Sequence, residues 1–346
     1  MFITSILIIS LALTSVMAAY YSPTYRTNAA SFLIGDRLFY TGGDYATDLF
    51  YLELGQGPFQ LTDPPFQLVQ NNLPNLYPYL VGGSVVIGQT AFIFVTNEES
   101  NFLRIDIGPN PVSYKFINRN ETKNPEFSPG MGNPLTVVDK NGLIYMWFTP
   151  IKVGGVNNGD ENLYIFNTVN SDWSLVKPPR SVINPDTAVI LSDGRIIFLA
   201  GVYDQNVATI YDTTKGTWYN QTITGNIEFG FECSNGKLYN EKILCIDTFT
   251  NKMNELDTSS FSWSVHDILD PSNSVVLPLV VVGAVDIYQD WMIFSFCSYP
   301  SSSDNRVMNV VSLANGNYEW ISNTGMIPLV KDPNESSPPQ PVYDMI

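Results

Sequence analysis

Apolar and polar positions alternate along most of this chain in short runs. Stretches such as Ala188-Val189-Ile190-Leu191 and Ile196-Ile197-Phe198-Leu199 flank two-residue turn signals. The signals are Gly35-Asp36, Gly88-Gln89, Asn141-Gly142, Asp193-Gly194, Asn235-Gly236 and Gln289-Asp290, and their first positions lie 53, 53, 52, 42 and 54 residues apart. Apolar runs joined by Asn-Gly or Asp-Gly predict β-hairpins, because the favoured tight turns need positive φ. No long window free of Gly and Pro shows a 3.6-residue apolar period, so the chain reads as all-β with helix content close to nil.

A second marker follows each hairpin. An acidic or amide residue ends an aromatic-apolar run, and Trp comes six positions later: Asn167 and Trp173, Asp212 and Trp218, Asp257 and Trp263. The same offset links Glu53 to Phe59 and Ala314 to Trp320, while the second unit has only Asp106, Val112 and Tyr114. Ala208 to Asp212 and Asn162 to Asn167 then supply third strands, and the Trp opens the fourth. Each unit of about 50 residues therefore holds four strands, a period typical of radial arrays. One such sheet cannot bury both faces alone, so the units must stack, with the Trp covering the adjoining blade. The prediction is a six-bladed β-propeller with four antiparallel strands per blade. The alternatives are a β-sandwich or a β-solenoid. Either Tyr20 to Tyr25 or the segment after Asn323 supplies a strand to seal the ring.

Gly42-Gly43 after Leu38-Phe39-Tyr40-Thr41, then Leu49 to Glu53, resembles the kelch motif: a double glycine, a spaced aromatic, an acidic turn and a Trp. Across about Ala29 to Ile321 the chain is similar to the kelch and galactose-oxidase central-domain superfamily, in particular its secreted fungal-type members. Only the first unit keeps Gly-Gly; the fourth has Ala200-Gly201, and the fifth and sixth have Leu244-Cys245 and Phe296-Cys297. The resemblance implies a kelch-type propeller. It would also suggest a copper-radical oxidase, whose copper is held by two histidines and two tyrosines. This chain has a single histidine, His266, which removes that reading.

The ends add a compartment. An apolar run from Ile6 to Leu13, too short to span a bilayer, precedes Val16 and Ala18 and reads as a signal peptide over residues 1–18. The propeller then occupies 19–323, and 324–346 is a polar, Pro-rich tail with no apolar segment for a lipid anchor. The apolar run Val275 to Val285 contains Pro278 and Gly283 and reads as a buried strand. Sequons at Asn120, Asn220 and Asn334 suggest glycans on an extracellular product that is soluble after cleavage. Three cysteines, Cys233, Cys245 and Cys297, do not make a disulfide scaffold; they allow one pair.

There are 33 acidic and 17 basic residues, a net charge of −16, which argues against nucleic acid and anionic membranes as partners. No catalytic constellation stands out. His266 reads as a hydrogen-bonded residue on a connection between blades, and no nucleophile elbow accompanies it. A sialidase box would need Asp five residues before Trp, but Asp212 stands six before Trp218. Zinc lacks its Cys or His pairs. Asp44, Asp48, Asp204, Asp247 and Asp304 lack the spacing of a calcium loop. No metal and no cofactor are expected. The loops between strands two and three, and between blades, share one face. On them Asp44, Tyr45, Tyr77, Tyr79, Phe127, Tyr203 and Asp204 pair aromatic rings with carboxylates, a combination suited to sugar stacking or to protein hot spots. The expected function is non-enzymatic binding of an extracellular protein or a cell-surface or cell-wall glycan. The alternative is a carbohydrate-active enzyme whose acidic pair meets only in space.

Overall fold

In the computed structural model the chain is described from Tyr20 to Ile321. Left out are chiefly 74–80, 96–99, 109–111, 119–130, 158–161, 180–184, 201–205, 226–232, 271–283 and 297–307, a few single positions, and both ends. Six four-stranded antiparallel sheets follow one another along the chain. Blade 1 holds β1 (Ala30–Ile34), β2 (Arg37–Thr41), β3 (Leu49–Glu53) and β4 (Gln67–Gln70); blade 2 holds β5 (Val81–Ile87), β6 (Thr90–Val95), β7 (Ser100–Asp106) and β8 (Ser113–Asn118). Blade 3 holds β9 (Met131–Val138), β10 (Leu143–Pro150), β13 (Leu163–Asn167) and β14 (Trp173–Val176), with a small added hairpin of β11 (Lys152–Val153) and β12 (Val156–Asn157). Blade 4 holds β15 (Pro185–Ile190), β16 (Arg195–Ala200), β17 (Val207–Asp212) and β18 (Thr217–Thr222). Blade 5 holds β19 (Lys237–Tyr239), β20 (Lys242–Asp247), β21 (Lys252–Asp257) and β22 (Ser262–Asp267). Blade 6 holds β23 (Ala284–Tyr288), β24 (Trp291–Ser295), β25 (Asn309–Ser312) and β26 (Glu319–Ile321). The first strands touch one another in succession around the ring, and β23 returns to β1. The fold is therefore a closed six-bladed propeller with its first strands innermost.

The core is divided among the six gaps between blades. One buried cluster joins blades 1 and 2 through Phe32, Phe39, Ile93 and Leu103. Further clusters fill the gaps between blades 2 and 3, 3 and 4, 4 and 5, and 5 and 6. The last one joins blades 6 and 1 through Tyr40, Phe50, Phe66, Ile293 and Phe296. Both faces of every sheet are thus buried, which is why the runs are near-continuously apolar.

The acidic and amide markers have a local cause. Asp212 Oδ1 accepts the Thr214 and Lys215 amides at 3.1 and 3.0 Å, and Asp257 Oδ1 accepts those of Ser259 and Ser260 at 2.9 and 2.8 Å. Asn167 Oδ1 does the same for Val169 at 2.9 Å. Each side chain caps the turn between strands three and four. That turn fixes the register, so Trp173, Trp218 and Trp263 lie opposite Phe166, Tyr211 and Leu256. Each tryptophan leans on the preceding blade. Trp173 stacks on Phe102 with ring centres 5.8 Å apart, Trp218 meets Trp147 at 6.2 Å, and Trp320 Nε1 donates to Asn251 Oδ1 at 2.6 Å.

Four expectations are corrected. The blade 5 hairpin turns at Asn240-Glu241, both with positive φ, and not at Asn235-Gly236; this accounts for the anomalous 42-residue spacing. In blade 6 the residue equivalent to Asp212 is Ser312, paired with Glu319, because a short 3-10 turn at Ala314–Gly316 lengthens the connection past Ala314. In blade 1 Phe59 does not open the fourth strand, which begins at Gln67; Phe59 and Phe66 instead fill the gap against blade 6. His266 lies within β22 and not on a connection. The Val275 to Val285 run falls mostly outside the described residues, and its strand starts at Ala284. Among the described residues no helix is long and apolar enough to cross a membrane.

Candidate functional site

A meander of four strands puts its 1–2 and 3–4 turns at one end and its 2–3 and 4–1 connections at the other. At the first end the turns are short except in blade 1, where Leu54 to Phe66 join the third and fourth strands, and side chains tie blade 5 to blade 6 and blade 6 to blade 1. Tyr239 donates to Asp290 at 2.6 Å, and Tyr288 donates to Asp36 at 2.8 Å. Burial and the accepted carboxylate push both phenols well above their ordinary range. The opposite end, the loop face, carries the connections that differ most in length and composition.

The seven residues expected to contact a ligand, Asp44, Tyr45, Tyr77, Tyr79, Phe127, Tyr203 and Asp204, lie outside the described residues. Their flanking strands place them in connections of the loop face: 42–48 and 201–206 between second and third strands, 71–80 and 119–130 between blades. Of the sequons, Asn120 and Asn334 also lie outside. Asn220 is exposed on the outermost strand of blade 4, and its side-chain oxygen accepts from Thr209 Oγ1 at 3.2 Å.

What the structure describes is how these connections are rooted. In blade 1, Arg26 is fully buried and grips Asp48 with two parallel bonds of 2.8 Å; it also donates to the Gly42 carbonyl at 3.3 Å. Tyr21 donates to the same carboxylate. Burial alone would raise the Asp48 carboxyl, but hydrogen bonds from Arg26 and Tyr21 hold it below the ordinary carboxylate range. Conversely, burial and the Asp48 charge push the Tyr21 phenol up to about 12. Asp48 closes the 42–48 connection, so this pair fixes both of its ends.

In blade 5 the connection is rooted by a disulfide between Cys233 and Cys245, with both residues buried. The Thr187 hydroxyl of blade 4 donates to the Cys233 carbonyl and accepts the Gly236 amide at 2.9 Å. Gly236 is required there: a Cβ would lie 2.8 Å from Thr187 Cγ2 and 2.9 Å from the Cys233 sulfur. Cys297 is outside the described residues. Asn251, which takes the Trp320 indole, also donates to the Ile268 carbonyl at 3.1 Å and so anchors the blade 5 to blade 6 connection.

At the inner strands, Asp286 accepts from Ser31, and Ser84 donates to the Ser31 carbonyl, linking blades 6, 1 and 2. Desolvation pushes the Asp286 carboxyl up, with Lys237 and the Ser31 bond working the other way. His266 contacts Ser264 Oγ at 3.1 Å and packs edge-on against Tyr318, which donates to the buried Glu255. Lys242 meets the same carboxylate at 2.7 Å. These groups satisfy one another within the gap between blades 5 and 6. Asp48 is held by Arg26, and Asp247 accepts from Thr250. Among the described residues no cluster of three or more His, Cys, Asp or Glu is placed to hold a metal.

Sequence reasoning missed Arg26, Ser31, Thr187 and Asp286 as organising residues. For the two charged residues the available signal was a lone charge beside or within an aromatic or apolar stretch, Arg26 after Tyr20 to Tyr25 and Asp286 within Ala284 to Tyr288.

The closed ring and the rooted connections together define a six-bladed propeller whose two ends are built differently. No family model matches the chain, and no curated protein matches it. Among solved structures it is similar to that of YjhT, with a TM-score of 0.59 and 10% identity over 87% of this chain and 99% of that one. A weaker likeness is to a nidogen/laminin complex, with a TM-score of 0.43 and 12% identity over 70% of this chain and 80% of that one. At such identities the likeness to YjhT speaks for the fold alone.

Proposed function

We propose that the chain is a secreted, glycosylated propeller of kelch type that binds an extracellular protein or a cell-surface or cell-wall glycan through its loop face. The observation that carries this reading is the contrast between the two ends of the ring. One end has mostly short turns, with ties between blades 5 and 6 and between 6 and 1; the other roots long aromatic and acidic connections with a buried ion pair and a disulfide. Rooted loops lose less freedom on binding, which is how a recognition surface gains affinity. The disulfide and the exposed sequon at Asn220 both suit an oxidising, extracellular compartment. The experiment is a glycan array together with a hydrolysis screen on the purified protein. Tyr45→Ala and Tyr203→Ala should weaken binding to an array hit and leave the melting temperature unchanged. Unchanged binding rules these two out as contacts. Turnover abolished by one carboxylate substitution overturns the binding reading in favour of a carbohydrate-active enzyme.

A further inference from the structure

Two junctions show how the chain passes from blade to blade. After the outer strand of blade 4, Thr224 takes a bond from its own amide to the Phe261 carbonyl at 2.8 Å and accepts the Trp263 amide at 2.9 Å. Gly225 then turns away with φ of 90°, where a Cβ would sit 2.4 Å from the Trp263 carbonyl oxygen. After the outer strand of blade 5, Leu269 repeats the arrangement: its amide donates to Tyr318 at 2.9 Å, and it accepts from Trp320 at 2.8 Å. In both cases one residue bridges in parallel to the next outer strand before the chain drops to the next inner strand.

Among the described residues no such bridge is found between blades 6 and 1. Among the described residues each sheet is also built from its own four strands, with none shared across this junction. The N-terminal segment lies at this junction. The Tyr21 amide donates to the Phe66 carbonyl at 2.8 Å, immediately before the outer strand β4, and the segment then leads into β1 at Ala30. Tyr21 and Ala29 pack on the cluster that joins blades 6 and 1. The Arg26 guanidinium lies over one aromatic ring from each blade, 4.7 Å from Phe50 of blade 1 and 5.6 Å from Phe296 of blade 6. Its charge is met by Asp48, to which Tyr21 also donates.

We infer that the segment carrying Tyr21, Arg26 and Ala29 is a strap across the junction between blades 6 and 1, locked by Arg26, Asp48 and Tyr21. Its described hold is one backbone bond, from Tyr21 to Phe66, together with the side-chain contacts of Tyr21 and Arg26. A buried guanidinium deprived of its carboxylate is strongly disfavoured, so breaking the pair releases the segment instead of leaving it docked. The lock also sits at the root of the 42–48 connection, so its release frees that loop.

Hydrogen exchange on the full-length protein tests this, comparing the native chain with Asp48→Asn and Tyr21→Phe. Asp48→Asn should speed exchange at β1, β4 and β23 at least about tenfold while β9 and β15, across the ring, keep their native rates; local opening has this signature. Tyr21→Phe should produce a smaller increase with the same distribution. Unchanged exchange at β1, β4 and β23, or a uniform rise over all six blades, overturns the strap. If Asp48→Asn does not fold, the distribution measured in Tyr21→Phe decides by the same criterion.

Discussion

The junction between blades 4 and 5 and the junction between blades 6 and 1 meet the same geometric demand with different chemistry. At the first, the chain crosses directly: Thr224 pairs with the next outer strand, a disulfide roots the inner one, and Thr187 joins the two blades. At the second, the partners lie at opposite ends of the sequence. There the contacts are a cluster of aromatic rings, a buried ion pair, and polar ties such as Tyr40 to Ser295 at 2.7 Å and Tyr288 to Asp36. The apolar packing is alike in both. What differs is how each polar group is satisfied once covalent continuity is missing. A ring of equal wedges has one seam between the first and last blades, and the buried guanidinium of Arg26 is found there.

This comparison can be broken from the largest effect downward. Phe50→Ala removes a fully buried ring that packs on Tyr40, Phe66 and Phe296 and lies under Arg26. It should cost about 3–5 kcal/mol in urea unfolding; a loss under about 1 kcal/mol would show that the seam does not depend on its aromatic packing. Replacing Cys233 and Cys245 with alanine opens a 12-residue separation and should cost about 3 kcal/mol. Exchange should then rise at the blade 4 and 5 strands and leave β1 and β23 protected.

The two carboxyls at the seam should respond to pH with opposite signs. Asp48 titrates lower in the folded protein, so its contribution is complete above the unfolded value of about 4 and is lost as pH falls through the folded one. Melting curves between pH 5 and pH 2 should therefore show native stability falling more steeply than that of Asp48→Asn. Asp286 titrates higher in the folded protein, so its favourable contribution is present in acid and is lost as pH rises through the folded value. Asp286→Asn should then melt higher than the native chain at pH 7, with the gap closing toward pH 4. A lower melting temperature at pH 7 would assign the ionised carboxylate a stabilising role with Lys237. The smallest effect belongs to Tyr239→Phe, which removes a partly exposed bond to Asp290 and should cost about 0.5–1 kcal/mol. The matching change at the seam, Tyr288→Phe, should cost more because Tyr288 is buried.

Much of the blade was legible because its causes are local. Asp212 and Asp257 cap turns made by the four residues that follow them, and the turn then fixes where Trp218 and Trp263 fall. Where a local cause was misread, the error was also local: Asn235-Gly236 looks like a turn, but Gly236 is there to let sulfur and Thr187 approach, and Asn240-Glu241 makes the turn. His266 looked like a loop residue because its strand neighbours, Ser264 and Asp267, are polar on an outer edge. The ligand contacts expected from Tyr45 and Tyr203 rest on chain position alone, since the described residues stop at the roots of those loops.

The order and number of blades, the capped turns and the tryptophan column were determined by the sequence alone, because each depends on residues within a few positions of one another. The pairing of Arg26 with Asp48, of Ser31 with Asp286 and of Tyr40 with Ser295 was decided only by the tertiary structure. Each of these contacts exists only because closing the ring brings distant parts of the chain together. A buried charge can be read as satisfied only once its partner is known, and no local pattern names that partner.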